Sequence, residues 1–569
     1  MRTSRRSAST HRFGLRLLPL ALLAIGGTTQ AGVATTVYVN TAGTCDYPTV
    51  QAAIDDLAPG SEIRLVGAEF LLPTSLSFSN RVLTVAGGYP ACGAPAPAGK
   101  TTLRANFAGG PAVFISGADV MSLSLTLRDL NIVDGNNPSG AGGGIQINNS
   151  GLVTLDNVDV HDNLALNGGG ISILENAGGN LSVNLLGGSR IGNDAGLGND
   201  AASGGGVYCV GARVRLGHVD LIANAATNQG GGLYADNCEI LSTADAGDTR
   251  IEQNMAKDGG GIYARGGSQL TLRSRIEQKI SISHNQAVLG SAPQRGGGIF
   301  LNNDGTLLQG SGLRIDDNRA RSFAAGIMIT AAQATLDRGV NSCLVGDDHC
   351  SSLSGNRVED DTGALTGTVG AAFIAGTGSP TLTLRQTRVA NNAAAGNAIL
   401  AAGDGGQLNL DTVLLTGNSS PNLLGTSSTA RIEGDFITTA GNMLSGSLIS
   451  NNSTAALAVD IRRSILLADG ATHLQGAGTA SFDCINTGTG GALGGTSHAP
   501  GFFDATGGVY RLASGSMNLD RCAVTGGETP FDIGGLPRII DLAAVANGAG
   551  AADRGAYEDV EGLLIDSFE

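Results

Sequence analysis

The sequence predicts an all-β chain, a right-handed parallel β-helix with three strands and about 31 residues per coil and a short capping helix at its N-terminus. Three observations predict it. The first is a recurring asparagine, three places after an apolar residue and usually two before an alanine. Asn163, Asn224, Asn254, Asn285, Asn318 and Asn392 stand in such turns, and weaker copies place Asn136, Asn356 and Asn418. The second is a glycine triplet after most of these asparagines, at 142–144, 168–170, 204–206, 230–232, 259–261 and 296–298, each followed by Ile, Val or Leu. The third is the spacing of apolar residues ahead of the asparagine at i, i+2, i+5 and i+7. Val153, Leu155, Val158 and Val160 show it, as do Leu408, Leu410, Val413 and Leu415.

Each element follows from that spacing. A step of two places one face of a strand toward a core. A step of three breaks the phase, so the chain must bend there. The bend residues Asp156 with Asn157, Gly217 with His218, and Asp411 with Thr412 are polar, as an exposed corner requires. Strand, corner, strand, asparagine turn, glycine block and third strand then make one coil. Successive coils pair at about 4.8 Å, so equivalent asparagines stack and their amides can bond along the stack. Glycine is expected where coils crowd or φ is positive. Helical repeats of similar period need helical apolar spacing, which is missing here, and propeller blades usually carry aromatic markers.

Composition agrees. The 569 residues include 89 glycines, no tryptophan and 4% aromatics, with 41% hydrophobic residues, so the core must be aliphatic. The formal charge is −15, and loss of the first 31 residues, with their five arginines, takes it to −20. That surface repels phosphate backbones, which excludes nucleic acid as an expected partner.

Residues 1–31 read as a Sec signal peptide, with an arginine-rich start, an apolar stretch from Leu15 to Ile25 and small residues around Ala31. The apolar stretch is too short to span a bilayer, and no transmembrane segment is expected in the mature chain. Residues 36–110 form the N-terminal cap and first coils, with a short amphipathic helix over 47–57 and a first strand from Glu62. Residues 111–480 are the repeats, 481–558 a C-terminal cap region and 559–569 a tail. The eight cysteines fall into sequence neighbours: Cys45 with Cys92, Cys209 with Cys238, Cys343 with Cys350, and Cys484 with Cys522. In an exported chain without C-x-x-C pairs, these point to disulfides rather than zinc.

The stretch 47–66, with Gly87, Gly88 and Tyr89 and with Thr101, Thr102 and Leu103, resembles the first coils of pectate-lyase-like β-helix proteins. The glycine blocks and asparagines resemble the repeats of polymorphic outer membrane proteins. The stretches 500–504, 510–512, 532–538 and 553–558 resemble the C-terminal region of secreted bacterial β-helix proteins of the choice-of-anchor type. These resemblances imply the β-helix fold and export, with the mature chain secreted or held on the outer surface of a Gram-negative-type bacterium. They do not imply one activity, because the fold hosts lyases, hydrolases and adhesins.

No catalytic, cofactor-binding or metal-binding residue is assigned from the sequence. The Asn-Thr-Asp and Gly-His-Gly stretches of polygalacturonase-like enzymes are absent. Asp316 and Asp317 fill the turn before Asn318 and are expected to be solvated. A lyase would need carboxylates with an Arg or Lys base, and the candidate surface is the lateral turn between asparagine and glycine block. It carries Lys257, Asp258, Arg295, Arg319 and Arg321 at irregular spacing. Calcium is the one cofactor left open, at Asp347, Asp348 and His349 inside the Cys343–Cys350 loop. The expected function is a non-catalytic, secreted or cell-surface scaffold displaying loops for adhesion or for contact with matrix, polysaccharide or protein. The alternative is a polysaccharide lyase or glycoside hydrolase.

Overall fold

The computed structural model describes residues 33–558 except 119–121, 176–177, 179, 194, 244–246, 292, 340–343, 345–346, 348, 490–492 and 543–544. The expected signal peptide, the tail and Cys343 therefore lie outside the described residues. The chain is the expected parallel β-helix, of the right hand that parallel crossovers take. A first face runs from strand Thr36–Asn40 to Ala480–Asp483, and a second from Glu69–Leu72 to Ile465–Leu466. The two share continuous strands such as Gly151–His161 and Gln407–Thr416, which turn the corner without a break. A third face of fourteen strands runs from Leu76–Ser79 to Thr472–Gln475, and a short eight-stranded sheet from Asn136–Ala141 to Arg357–Val358 lies along the lateral turn.

The alternation read from the sequence sets the core. In Gly151–His161 the inward residues Val153, Leu155, Val158 and Val160 are fully buried. The phase break falls at Asn157, with φ of 55°; the equivalent residues Asp129, His218, Gln386 and Thr412 are also left-handed. At the N-terminal end, helix Val50–Asp56 closes the core with Val50, Ala53 and Ile54, and Thr49 caps it by accepting from the Ala52 amide.

The asparagines form one buried column. Asn254 donates through Nδ2 to the Leu221 carbonyl at 2.8 Å and to Oδ1 of Asn285 at 3.0 Å. Its Oδ1 accepts from the backbone amide and Nδ2 of Asn224, both at 3.0 Å. The same bonds link Asn163, Asn199, Asn224, Asn254, Asn285, Asn318, Asn356, Asn392, Asn418 and Asn442 in turn. Asn199 and Asn442 escape the sequence pattern. Asn136, by contrast, is exposed; Gly135 holds its place in the column, its amide donating to Oδ1 of Asn163 at 2.8 Å. Asp469 ends the column, accepting from the Asn442 amide at 2.9 Å.

Three expected disulfides are formed: Cys45 with Cys92, Cys209 with Cys238, and Cys484 with Cys522, with Cα separations of 5.9, 6.4 and 5.8 Å. Such bonds belong to an oxidising compartment. Cys209 and Cys238 lie in the core and join successive coils.

Residues 500–558 pack along the corner between the first and second faces. Arg338 donates to the Ile533 carbonyl at 3.1 Å, Gln386 to the Asp532 carbonyl at 2.7 Å, and the Ala556 amide to Thr438 Oγ1 at 2.9 Å. This cover explains why Thr412, in a corner expected to be exposed, is fully buried. The next corner down carries Phe436 instead of a polar residue, and its ring lies 4.6 Å from the Arg463 guanidinium and 4.0 Å from that of Arg538. Two cations against one buried ring are tolerable because each is also bonded: Arg463 to Asp435 and Glu528, Arg538 to Thr412 and to the Gly555 and Ala556 carbonyls.

Candidate functional site

The lateral turn is the surface on which the sequence places charged residues of irregular spacing. Stacking explains them. The residues just before the glycine blocks, Gln229, Asp258, Arg295 and Phe323, stand in register on successive coils. Arg295 therefore meets Asp258 of the preceding coil through two hydrogen bonds, Nε at 3.0 Å and Nη2 at 2.8 Å. Asp258 is only 4% exposed, so its charge requires this partner. The bond to Asp258 raises the Arg295 pKa above its already high ordinary value. The same guanidinium covers the ring of Phe300, 4.9 Å from its centre.

The arginines further along behave alike. Arg319 lies 3.5 Å from Glu359 and 3.2 Å from Asp361, both on the next coil, and Arg321 bonds Asp361 as well. Lys257 is half-buried beside Gly290. The structure thus brings Asp258 and Arg295 together, and groups Arg319 with Arg321 around Asp361. It does not assemble the five lateral residues into one centre. Each arginine is held by a carboxylate whose charge it neutralises, and a guanidinium so bonded is a poor base.

The turn carboxylates are also built in. Asp316, expected to be solvated, is half-buried; it accepts from Ser352 Oγ at 2.8 and 2.9 Å and from the Ser354 amide at 3.0 Å. Burial pushes its carboxyl above the ordinary range. Asp317 supplies the left-handed residue, φ of 54°, before Asn318. In the loop proposed for calcium, Asp348 lies outside the described residues. Asp347 accepts from the His349 amide at 3.0 Å. Among the described residues, no three His, Cys, Asp or Glu side chains gather as a metal site.

One feature of this surface was missed in the sequence. The residue after the Ile, Val or Leu of each glycine block points outward on the third face. Tyr208, Tyr234, Tyr263, Phe300, Met328 and Phe373 occupy that position on consecutive coils. Five of these six are aromatic, and they stand in one column. Tyr208 and Tyr234 stack at 4.7 Å, Tyr234 and Tyr263 at 5.5 Å, and Phe300 meets Tyr263 edge-on at 5.2 Å. Tyr234, Tyr263 and Phe300 are 5%, 2% and 2% exposed, so their ring faces are used on one another and not offered to a sugar. Burial raises the Tyr263 phenol above its ordinary pKa, and Asn302 Nδ2 donates to its hydroxyl at 2.9 Å.

No helix among the described residues is long and apolar enough to cross a membrane. No protein-family model matches the chain, and a search of characterised proteins finds no relative. Among solved structures, pectate lyase Pel9A is similar over 93% of this chain and 97% of its own, at 10% identity and a TM-score of 0.21. At that score the likeness carries no argument about activity, and the fold rests on the strand pairing itself.

Proposed function

We propose that this chain is an extracellular scaffold, secreted or held at the cell surface, that presents its long lateral faces for contact with matrix, polysaccharide or protein. In this reading its charged side chains brace the coils and perform no chemistry. The observation that supports it is the two-bond pairing of Arg295 with buried Asp258 across adjacent coils. A lyase base must accept a proton and face a substrate; Arg295 does neither while it holds Asp258 and covers Phe300. The charge of −20 that remains without the first 31 residues suits a soluble elongated particle.

The test is incubation of the purified chain with acidic and neutral polysaccharides, with and without Ca²⁺. The scaffold reading expects no unsaturated or reducing ends above a mock preparation, with retention on at least one polysaccharide or matrix-protein surface. Release of such ends, abolished by Arg295→Ala or Arg319→Ala in a folded variant, would support polysaccharide cleavage instead.

A further inference from the structure

At the N-terminal end, one of the three faces starts without a neighbour. The coil that opens with Ser61–Val66 has a strand on each face, continuing through Glu69–Leu72 and Leu76–Ser79. The coil before it does not. Its first-face strand Thr36–Asn40 leads through residues 41–49 into helix Val50–Asp56, so among the described residues no strand stacks on the outer edge of Glu69–Leu72. The other two faces are closed by hydrogen bonds. Gln51 of the helix accepts from the Ser77 amide at 2.9 Å and donates to the Ser77 carbonyl at 3.1 Å, as a neighbouring strand would. The Asp46 amide donates to the Tyr38 carbonyl at 3.0 Å, and the Tyr38 amide to Asp46 Oδ2 at 2.7 Å. On Glu69–Leu72, the Ala68 and Leu72 carbonyls accept from Thr102 and Asn106 of the next coil. The alternation of the strand turns the amides and carbonyls of Glu69 and Leu71 the opposite way. They face a cleft of about 580 Å³ lined by Pro48, Val50, Phe70, Leu72, Pro73 and Leu76. Leu71 is 59% exposed.

We propose that this edge takes a strand from a second copy of the chain, supplied by residues 561–568. Unpaired amides and carbonyls beside an apolar cleft call for an extended peptide with apolar side chains. Residues 561–568 include Leu563, Leu564, Ile565 and Phe568 and no Lys, Arg or Pro, the residues that commonly keep a strand from pairing. Extended, the stretch sets Leu563 and Ile565 on one side and Leu564 on the other. The pair matches the apolar lining of the cleft, and Leu564 then covers Leu71. A chain cannot fill its own cleft. The Glu558 amide donates to Asp532, whose carbonyl is held by Gln386 of strand Thr381–Ala390. Ten strand steps separate that strand from Glu69–Leu72. At about 4.8 Å each, they amount to about 48 Å. The ten residues from Glu558 to Phe568 reach at most about 36 Å. The contact is therefore made between copies, head to tail, and builds an open series instead of a closed dimer.

Sedimentation of the purified chain from low to high micromolar concentration tests this. The expected result is association that grows beyond a dimer as concentration rises. Leu71→Pro removes the amide that faces the cleft and keeps the bonds to Thr101–Ala105, so it should give a monomer. Ile565→Asp should do the same from the other side of the contact. Mixed, the two variants should form a dimer and nothing larger, because one keeps the donated segment and the other keeps the edge. A parent chain or a mixture that stays monomeric, or association that survives Ile565→Asp, would overturn the proposal. If Leu71→Pro fails to fold, a synthetic peptide of residues 559–569 decides instead. In excess it should dissociate the parent series while a scrambled peptide leaves it intact; no effect, or an equal effect of both peptides, overturns the proposal.

Discussion

A Cβ added to Gly232 would stand 2.9 Å from Nδ2 of Asn254, closer than side-chain atoms come. The glycine block and the asparagine column are therefore one device: the column occupies the space that a side chain on the third glycine would need. The second glycine is tighter still. A Cβ on Gly231 would lie 2.4 Å from the Gly260 carbonyl and 2.5 Å from that of Met255, both backbone atoms of the next coil. Gly231→Val should cost at least about 3 kcal/mol, by forcing coils apart, while Gln229→Val should stay within about 1 kcal/mol. Urea unfolding of the two variants measures the difference.

Removing one asparagine from the middle of the column breaks several buried hydrogen bonds at once. Asn285→Ala removes the acceptor of the Asn254 backbone amide and Nδ2 and the donor to the Ile251 carbonyl and Asn318 Oδ1, although Nδ2 of Asn254 keeps the Leu221 carbonyl and Oδ1 of Asn318 keeps the backbone amide of residue 285. At about 0.5–1.5 kcal/mol per bond lost, with a further penalty for the unpaired Asn254 amide, the loss should exceed about 3 kcal/mol. Asn136→Ala, outside the column, should cost less than about 0.5 kcal/mol. Equal costs would show that the stacked amides contribute nothing beyond their volume.

The column was only partly legible in the sequence. Asn136 resembled a member because it follows an apolar residue at nearly the right distance; the structure shows the register is set one place earlier, by left-handed Asp134 before Gly135. Asn199 was hidden by the extra residues between Ile191 and the turn. Asn442 was hidden because Thr439 stands where other coils have an apolar residue; Leu415 is its partner on the coil before. The aromatic column is readable one place after the apolar residue of the last four glycine blocks, at Tyr208, Tyr234, Tyr263 and Phe300, but the first two blocks put Gln146 and Ser172 there, so the position does not stand out as a repeat feature. The lateral ion pairs were not legible at all. Asp258 and Arg295 are 37 residues apart, and only the inter-coil register brings them together.

The pairing of Cys209 with Cys238 across neighbouring coils closes a separation of 29 residues inside the core. Non-reducing peptide mapping should recover this pair, together with Cys45–Cys92 and Cys484–Cys522. Replacing both Cys209 and Cys238 by Ala should cost about 2–4 kcal/mol. Links between distant coils would contradict the stacking order.

Asp469 ends a column of neutral amides with a carboxyl, and burial pushes its pKa above the ordinary value. A carboxyl raised in the folded state binds its proton more tightly there than in the unfolded chain. Its contribution is complete below the unfolded pKa and is lost as pH rises through the folded one. Asp469→Asn keeps an acceptor for the Asn442 amide and removes the charge. The variant should melt higher than the parent at pH 8, with the gap closing toward pH 4. A gap that is constant with pH would exclude titration of Asp469 as its source.

The central claim is that the charged residues of the lateral turn brace the coils. A double-mutant cycle on Asp258 and Arg295, read by urea unfolding, tests it most directly. Asp258→Ala and Arg295→Ala should each destabilise the chain, and the double variant should lose less than their sum, giving a favourable coupling of about 1–3 kcal/mol. A coupling near zero would contradict the account, since it would leave Arg295 free for another role.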